Sequence, residues 1–159
     1  GFMIKVLFVC LGNICRSPMG VFILKDMAAR EGITDRFFIA SAGTSGEEEG
    51  NPVYPPARAE LSRHGIDCTG KRAARYTAAD YPKYDYILAM ESWHVRSIER
   101  ISGDRDGKVR RLLDYTDSPK DIEDPWYTRD FATAYREIEA GCRAFLSFLR
   151  NEGKLPATK

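Results

Sequence analysis

The chain is short of histidine and cysteine and carries almost no net charge. It has two histidines and four cysteines among 159 residues, with neither a Cys-x-x-Cys pair nor a histidine-rich spacing, so nothing in the residues suggests a zinc site. Lysine and arginine number 24 against 23 for aspartate and glutamate, which leaves a formal net charge of +1. So small an excess argues against a nucleic-acid partner held by bulk electrostatics. Positive charge can act only locally.

The sequence also has no long apolar run, no repeat and no low-complexity segment. We therefore expect no insertion into a membrane. Residues 1–2 precede a methionine and are interpreted as a remnant of expression, and Met3 leads directly into a strand pattern without a cleavable leader. The expectation is one domain over residues 3–159, located in the cytoplasm. In that reducing compartment the cysteines need not form a disulfide framework.

Short apolar runs alternate with helical patterns along the chain. Strands are predicted at 4–9, 36–40, 84–90 and 109–113. Helices are predicted at 18–30, 56–64, 92–101 and 131–151, and loops at 43–56 and 114–130. The alternation favours an α/β fold with a four-stranded parallel sheet flanked by helices on both faces. Ligands bind such sheets beyond the carboxyl ends of the strands.

The first strand runs into a loop whose composition suits an anion. Residues 10–18 read Cys-Leu-Gly-Asn-Ile-Cys-Arg-Ser-Pro. Gly12 and Asn13 can adopt left-handed backbone angles at little cost, so the loop can curl. Ser17 is predicted to cap a helix that starts at the proline after it. Free N–H groups and the positive end of the helix dipole then face one cavity, and Arg16 adds a planar fork of donors for a phosphate.

Cys10 lies at the floor of this predicted phosphate nest. Positive charge and N–H donors favour its thiolate, and a thiolate beneath a bound phosphate is a nucleophile in position. The Ser17 hydroxyl can donate to that sulfur and ease its departure in a second step, although capping alone also explains a serine there. Ser41 ends the second predicted strand, at the same edge of the sheet. The conjunction of strand, loop and helix start predicts a reaction centre.

A thiolate that attacks a phosphate ester needs a partner that protonates the leaving oxygen. Asp124 is the preferred candidate, since the proline after it restricts its backbone and Trp126 and Tyr127 can form walls against an aryl ring. Asp121 and Glu123 are neighbouring carboxylates that reasoning from the residues leaves open.

Four features together resemble the low-molecular-weight protein tyrosine phosphatases. They are the loop at 10–18, Ser41-Ala42-Gly43-Thr44, Gly50-Asn51-Pro52, and the Asp124-Pro125 pair with its two aromatic neighbours. The resemblance covers essentially the whole chain after Met3. It implies a phosphocysteine intermediate on Cys10, with Arg16 holding the phosphate and Asp124 acting first as acid and then as base.

The same resemblance assigns supporting roles, and it implies neither a metal nor a cofactor. The phosphate-binding residues are Leu11, Gly12, Asn13, Ile14, Cys15 and Arg16. Asn13 and Ser41 match positions in a hydrogen-bond network that holds the loop in shape, and Ser17 matches the hydroxyl that assists thiolate departure. The implied substrates are proteins or peptides that contain phosphotyrosine, a bacterial tyrosine kinase being one candidate.

Two stretches depart from the family. The family often has a histidine after the helix that ends near His64, whereas residues 69–75 here read Thr-Gly-Lys-Arg-Ala-Ala-Arg, so that role stays unassigned. Glu47 stands where the family often has an aromatic or apolar residue at the pocket mouth, and it begins a run of three carboxylates at 47–49. This run is either a solvated loop or a rim that disfavours acidic phosphopeptides by like-charge repulsion. Ile14, Trp126 and Tyr127 are the other predicted wall residues.

Three rival functions stay open. Arginine phosphatases of the same family typically carry a threonine where Ile14 stands, and the bulkier isoleucine should favour a flat phenol ring. Arsenate reductases of this fold relay electrons through two further cysteines in a nearby segment, whereas Cys68 and Cys142 are far apart and are interpreted as structural. A phosphate-binding or redox-sensing module would use the loop alone, and oxidation would join Cys10 to Cys15.

The two histidines are interpreted as structural. His64 lies at a predicted helix end, where hydrogen bonding to exposed carbonyls is ordinary, and His94 has an unremarkable position on a predicted helix.

Overall fold

Four parallel strands form one sheet. The computed structural model describes residues 3–158, so the proposed expression remnant at residues 1–2 lies outside the described residues. The strands are β1 (Ile4–Cys10), β2 (Phe37–Gly43), β3 (Tyr86–Ala89) and β4 (Val109–Arg111), in the order β2-β1-β3-β4. Cys10 is in register with Gly43 of β2, and Val9 with Ala89 of β3. After β1 the chain forms β2 on one side of it and later β3 on the other side, so the end of β1 is a topological switch point.

Helices cover both faces of the sheet, as the alternation of patterns predicts. The long helices are α1 (Arg16–Arg30), α2 (Pro55–Arg63), α3 (Ser92–Ser102) and α5 (Phe131–Asn151). Val6 and Phe8 of β1 pack with residues of α1, α2 and α5, whereas Leu7 and Val9 pack in a separate cluster with Ile98 of α3. Successive side chains of β1 therefore enter opposite cores, the pattern of a strand buried on both faces.

Helix α1 lies unusually close to β1. A Cβ atom added at Gly20 of α1 would lie 2.6 Å from the Phe8 ring, so this contact requires glycine. The close approach packs α1 directly on β1, at the end of the strand from which the loop departs.

Helix α1 begins at Arg16, two residues earlier than predicted. Cys15 occupies the capping position, so the prediction that Ser17 caps the helix was wrong. Ser17 lies inside the first turn, where its buried hydroxyl turns to other side chains. Pro18 remains in that first turn, where its missing N–H costs nothing.

Other boundaries also differ from the prediction for local reasons. β2 runs to Gly43 rather than ending at residue 40, because its last three residues stay in register with the end of β1. β3 is shorter than predicted, because only four of its residues pair with β1. β4 ends at Arg111, whose backbone N–H donates to the Asp114 carboxylate and starts a 3₁₀ turn at residues 112–115. The predicted loop at 114–130 contains a short helix, α4 (Pro125–Thr128), because Asp124 caps it and Pro125 suits its first position.

Within residues 3–158, no helix combines the length and the apolar composition that crossing a membrane requires.

His64 makes a packing contact that the sequence did not suggest. Its ring stacks on Tyr135 with centroids 3.7 Å apart, and its Nε2 lies 3.2 Å from Glu60 Oε2.

Candidate active site

The loop between β1 and α1 is held from three sides. Thr44 and Ser45, just after β2, donate their backbone N–H groups to the carbonyls of Cys10 and Leu11 at 2.9 Å each, and Tyr54 donates to the carbonyl of Ile14 at 2.9 Å. A Cβ atom at Gly43 would lie 2.6 Å from the Leu11 carbonyl oxygen, so glycine is required where β2 meets the loop. The loop backbone is therefore fixed by β2 and its continuation.

Asn13 gives the loop its curl. Its φ of 60° lies in the left-handed region, and its side chain is 1% exposed. Gly12, which the sequence also offered for this role, has no positive φ. Within residues 3–158, none of the backbone N–H groups of residues 12–15 donates to another protein group. Four adjacent free donors at the start of a helix suit an anion.

Every hydrogen-bonding position of the Asn13 amide is occupied. Its Nδ2 donates to Ser17 Oγ at 2.7 Å and to Ser41 Oγ at 2.8 Å. Its Oδ1 accepts from Lys71 Nζ at 3.2 Å and from the Ala74 backbone N–H at 2.9 Å. The structure thus brings Asn13, Ser17 and Ser41 together, and it adds Lys71, from the segment in which the sequence left a role unassigned.

Ser17 connects this network to Cys10. The Ser17 Oγ lies 2.9 Å from Cys10 Sγ and is buried. Since that oxygen already accepts from Asn13, its own proton is free to point at the sulfur. Such a bond stabilises the ionised form of a thiol.

Arg16 is buried, and two groups hold it. Its Nη1 donates to Glu91 Oε2 at 2.7 Å and to the Ile122 carbonyl at 2.6 Å, while its exposed fraction is 1%. These bonds use both Nη1 protons, so Nη2 and Nε are left to bind an anion in bidentate fashion. Sequence reasoning missed Glu91 and Ile122. Glu91 lies just past the carboxyl end of β3, a position that could have drawn attention to it.

His94 lies beneath Glu91 and is completely buried. Its Nδ1 accepts the Glu91 backbone N–H at 3.1 Å, and its Nε2 lies 3.8 Å from Glu91 Oε2. Burial, together with the nearby Arg16 charge, lowers the pKa of His94 to about 3. The histidine is therefore neutral at physiological pH. The sequence suggested nothing unusual about His94, but the structure places it against Glu91, a partner of Arg16.

Asp124 faces the loop from α4. Its Oδ1 accepts the Trp126 backbone N–H at 3.0 Å, and its Oδ2 lies 3.4 Å from Arg16 Nη2. Asp121 is turned away, because its carboxylate accepts from Ser92 and Arg111. Glu123 is exposed and does not line the pocket that contains Cys10. Of the three carboxylates considered, the structure brings only Asp124 to Arg16 and Cys10.

A pocket of about 200 Å³ lies between the loop and α4. The residues that line it are Cys10, Leu11, Gly12, Ile14, Cys15, Arg16, Ser45, Glu47, Glu48, Asp124, Trp126 and Tyr127. Trp126 is 44% exposed and Tyr127 is 77% exposed, so the two rings form an open wall. Of the carboxylates at 47–49, the first two line the pocket and Glu49 does not.

All four cysteines are free thiols. Burial, followed by the nearby Cys10, raises the pKa of Cys15 far above its usual value. Burial likewise raises the pKa of Cys142 and of Cys68. Cys142 lies in the core against α1, and Cys68 is buried as well, in agreement with a structural role for both. Among residues 3–158, no group of three histidine, cysteine or acidic side chains is placed to hold a metal ion.

Comparison with known proteins connects this chain to one family. The family model for low molecular weight phosphotyrosine protein phosphatase matches residues 5–155. The low molecular weight protein-tyrosine-phosphatase YfkJ of Bacillus subtilis is 38% identical over 156 residues, which are 96% of this chain and 100% of that protein. The human low molecular weight phosphotyrosine protein phosphatase is 39% identical over 148 residues, 89% of this chain and 93% of that protein.

Solved structures agree in fold. The crystal structure of YfkJ has a TM-score of 0.92 and covers 96% of this chain and 98% of its own. The Drosophila arginine phosphatase DARP has a TM-score of 0.84 at 28% identity, with 92% and 98% covered. Fold, loop and similarity together define an enzyme of the hydrolase class, a protein-tyrosine-phosphatase. The chain belongs to the low molecular weight phosphotyrosine protein phosphatase family.

Proposed function

We propose that this protein hydrolyses phosphotyrosine in proteins or peptides through a phosphocysteine intermediate on Cys10. The observation that carries the proposal is the convergence of Cys10, Arg16 and Asp124 on one pocket walled by Trp126 and Tyr127. That convergence joins a nucleophile, an anion-binding fork and a carboxyl group that can exchange protons.

In the first step the Cys10 thiolate attacks phosphorus, and the bond from phosphorus to the phenolic oxygen breaks. Arg16 binds the phosphoryl oxygens through Nη2 and Nε, and the free N–H groups of residues 12–15 neutralise the remaining charge. Asp124, in its acid form, gives its proton to the leaving phenolate oxygen. The products of the step are a tyrosine hydroxyl and a thiophosphate ester on Cys10.

In the second step water attacks the phosphorus, and the phosphorus–sulfur bond breaks. Asp124 is now a carboxylate and takes a proton from the water. The Ser17 hydroxyl, 2.9 Å from the sulfur, stabilises the thiolate as it leaves. The step releases inorganic phosphate and regenerates Cys10.

Turnover of four substrates side by side tests the reaction class. p-Nitrophenyl phosphate and phosphotyrosine should be hydrolysed, whereas phosphoserine and phosphoarginine should be turned over far more slowly, with Cys10→Ser as the blank. Activity on phosphoserine equal to that on phosphotyrosine would overturn the proposed substrate.

Ile14 is the proposed determinant of the phenol preference. It lines the pocket as a branched apolar wall, where a flat ring packs better than a guanidinium. DARP shows that arginine phosphatases share this fold. Ile14→Thr should therefore raise the ratio of phosphoarginine to phosphotyrosine turnover, and an unchanged ratio contradicts this role for Ile14.

Glu47 and Glu48 are proposed to repel acidic flanks of a phosphopeptide. Both line the pocket mouth, and Asn51 Nδ2 donates to Glu48 Oε2 at 2.7 Å, which holds that carboxylate in place. Replacing the three glutamates at 47–49 by glutamine should narrow the difference in kcat/KM between peptides with basic and with acidic flanks. The effect should weaken as salt is added.

Reversible oxidation of the same site is a further part of the proposal. Cys10 and Cys15 line one small pocket, so peroxide should join them in a disulfide that a thiol reductant reverses. Mass spectrometry that finds only sulfinic or sulfonic acid on Cys10 would contradict the proposal that a disulfide protects this residue.

We place the reaction in the cytoplasm, where a bacterial tyrosine kinase is a candidate substrate.

A further inference from the structure

We propose that Lys71 is a positioning residue of the phosphate loop, which orients the Asn13 amide and, through it, the Ser17 hydroxyl that contacts the Cys10 sulfur. The proposal deepens the proposed function and rests on it only where turnover is measured. It concerns a position at which this chain departs from the histidine that the family often has.

The direction of the network depends on its donors. An amide side chain can turn over and exchange its oxygen and nitrogen, and a serine hydroxyl can donate or accept, so Asn13, Ser17 and Ser41 alone permit either direction. Lys71 and the Ala74 N–H can only donate, and both lie on the Oδ1 side at 3.2 and 2.9 Å. They therefore turn Nδ2 toward the serines. The Ser17 proton is thereby left for Cys10.

Backbone pairing holds Lys71 in reach of Asn13. The residues that follow it run beside the end of β2, where Gly43 donates to the Ala74 carbonyl at 2.8 Å and accepts from the Tyr76 N–H at 2.7 Å. Lys71 Nζ also donates to the carbonyl of Arg72 at 2.6 Å. The ammonium group is thus anchored to the backbone of the next residue and directed at the loop.

Lys71 also brings a charge toward the thiolate. Burial lowers the pKa of its half-buried ammonium, the negative charge of Cys10 raises it, and Lys25 of α1 lowers it again. The interaction is reciprocal, so a charged Lys71 favours the Cys10 thiolate. A histidine at this place would supply one hydrogen bond and would be largely neutral near pH 7.

The test compares Lys71→Met, Lys71→Gln and Lys71→Arg with Arg72→Met, which removes a neighbouring exposed cation. For each full-length variant we would measure kcat and KM on p-nitrophenyl phosphate and the rate of Cys10 alkylation by iodoacetamide between about pH 5 and pH 9. Alkylation reports the thiolate without any substrate, and mass spectrometry confirms that Cys10 is the site.

Lys71→Met should lower kcat about tenfold with KM changed less than about twofold, and shift the alkylation profile toward higher pH by about one unit. Lys71→Arg should recover most of both effects, and Arg72→Met should match the wild type. Lys71→Gln keeps a hydrogen-bond donor but has no charge, so it should restore kcat more fully than it restores the pH dependence of alkylation. If Lys71→Met does not fold, Lys71→Gln takes its place in the test.

Wild-type kcat and an unshifted alkylation profile in Lys71→Met would overturn the proposal. So would an equal shift in Arg72→Met, since general positive potential would then explain the effect. If the enzyme hydrolyses none of the tested esters, the proposed function fails, but the alkylation profiles still decide the role of Lys71.

Discussion

The phosphate loop, residues 10–16, and the acid segment, residues 122–130, form the two sides of one pocket and are built in opposite ways. In the loop, Asn13 and Arg16 are each 1% exposed, and their hydrogen bonds are made to fixed protein groups. In the acid segment, Trp126 and Tyr127 are open to solvent. The loop is therefore held in one arrangement, as suits the phosphoryl group that all proposed substrates share, whereas the acid segment presents an open wall, as suits leaving groups of different shape.

This contrast separates two kinds of mutational effect. A change in the loop should impair the reaction of every phosphate ester, because all of them share the phosphoryl group. A change in the acid segment should depend on the leaving group. The following predictions test that division, and they are arranged from the largest expected effect to the smallest.

Cys10→Ser should abolish turnover on every aryl phosphate, with a loss in kcat of at least about 10⁴-fold, because the proposed nucleophile is removed. Steady-state assays on p-nitrophenyl phosphate and phosphotyrosine measure the loss. Cys68→Ser is the matched control, and it should keep near wild-type activity. A Cys10→Ser variant that retains activity on one ester would mean that sulfur is not the nucleophile.

Asp124→Asn should lower kcat on phosphotyrosine about 100-fold, because the leaving phenolate then departs without a proton. The loss should shrink steadily for aryl phosphates whose phenols are more acidic, since those leaving groups need less protonation. Glu123→Gln, on the same segment but outside the pocket, should leave every rate unchanged. An equal loss for all leaving groups would mean that Asp124, like the loop residues, acts on the phosphoryl group and not on the leaving group.

Arg129→Met should lower turnover about threefold, since it removes one exposed hydrogen bond within the acid segment and one that joins the segment to Tyr54. Arg129 donates to the Trp126 carbonyl at 3.3 Å and to Tyr54 Oη at 3.2 Å. The loss should be greatest for poor leaving groups. Arg136→Met, an exposed arginine on α5, is the control, and an equal decrease there would contradict a specific role.

The smallest effect at neutral pH is expected from the titration of His94, which lies beneath the loop and acts on stability. Its pKa is about 3 in the folded protein against 6.5 in the unfolded chain, so between these values only the unfolded chain binds the proton. The free energy of unfolding should fall by about 2 kcal/mol from pH 7 to pH 5 on this account. Urea unfolding at both pH values measures it. His94→Gln should lose this dependence, and His64→Gln should retain it.

Most of the fold was predictable from local pattern. The strands and long helices follow from apolar spacing, and their alternation led to the parallel sheet with helices on both faces. Boundaries were wrong where one specific contact decides them. Helix α1 starts at Arg16 rather than after Ser17, because the serine hydroxyl is used by Asn13 and Cys10.

The candidate site likewise contains residues that local sequence identified and residues that only long-range contacts revealed. Cys10 and Arg16 occupy one short loop, so local sequence was enough to connect them, and Asp124 was singled out by its proline and aromatic neighbours. Lys71, Glu91 and the Ile122 carbonyl were missed as partners of the loop. No sequence pattern marks a lysine or a carbonyl as the partner of a residue 58 or 106 positions away. For Glu91, 75 positions from Arg16, the one available signal was its place just past the carboxyl end of β3.

The phosphate loop thus has two origins. The sequence by itself determined the proposed nucleophile, the proposed anion-binding fork and the strand–loop–helix that joins them, because residues close in the chain impose backbone geometry on one another. Only the tertiary structure decided which groups orient that loop: Lys71 on Asn13, and Glu91 on Arg16. The reason is that hydrogen bonds over long sequence separations exist only after the sheet has aligned the carboxyl ends of its strands.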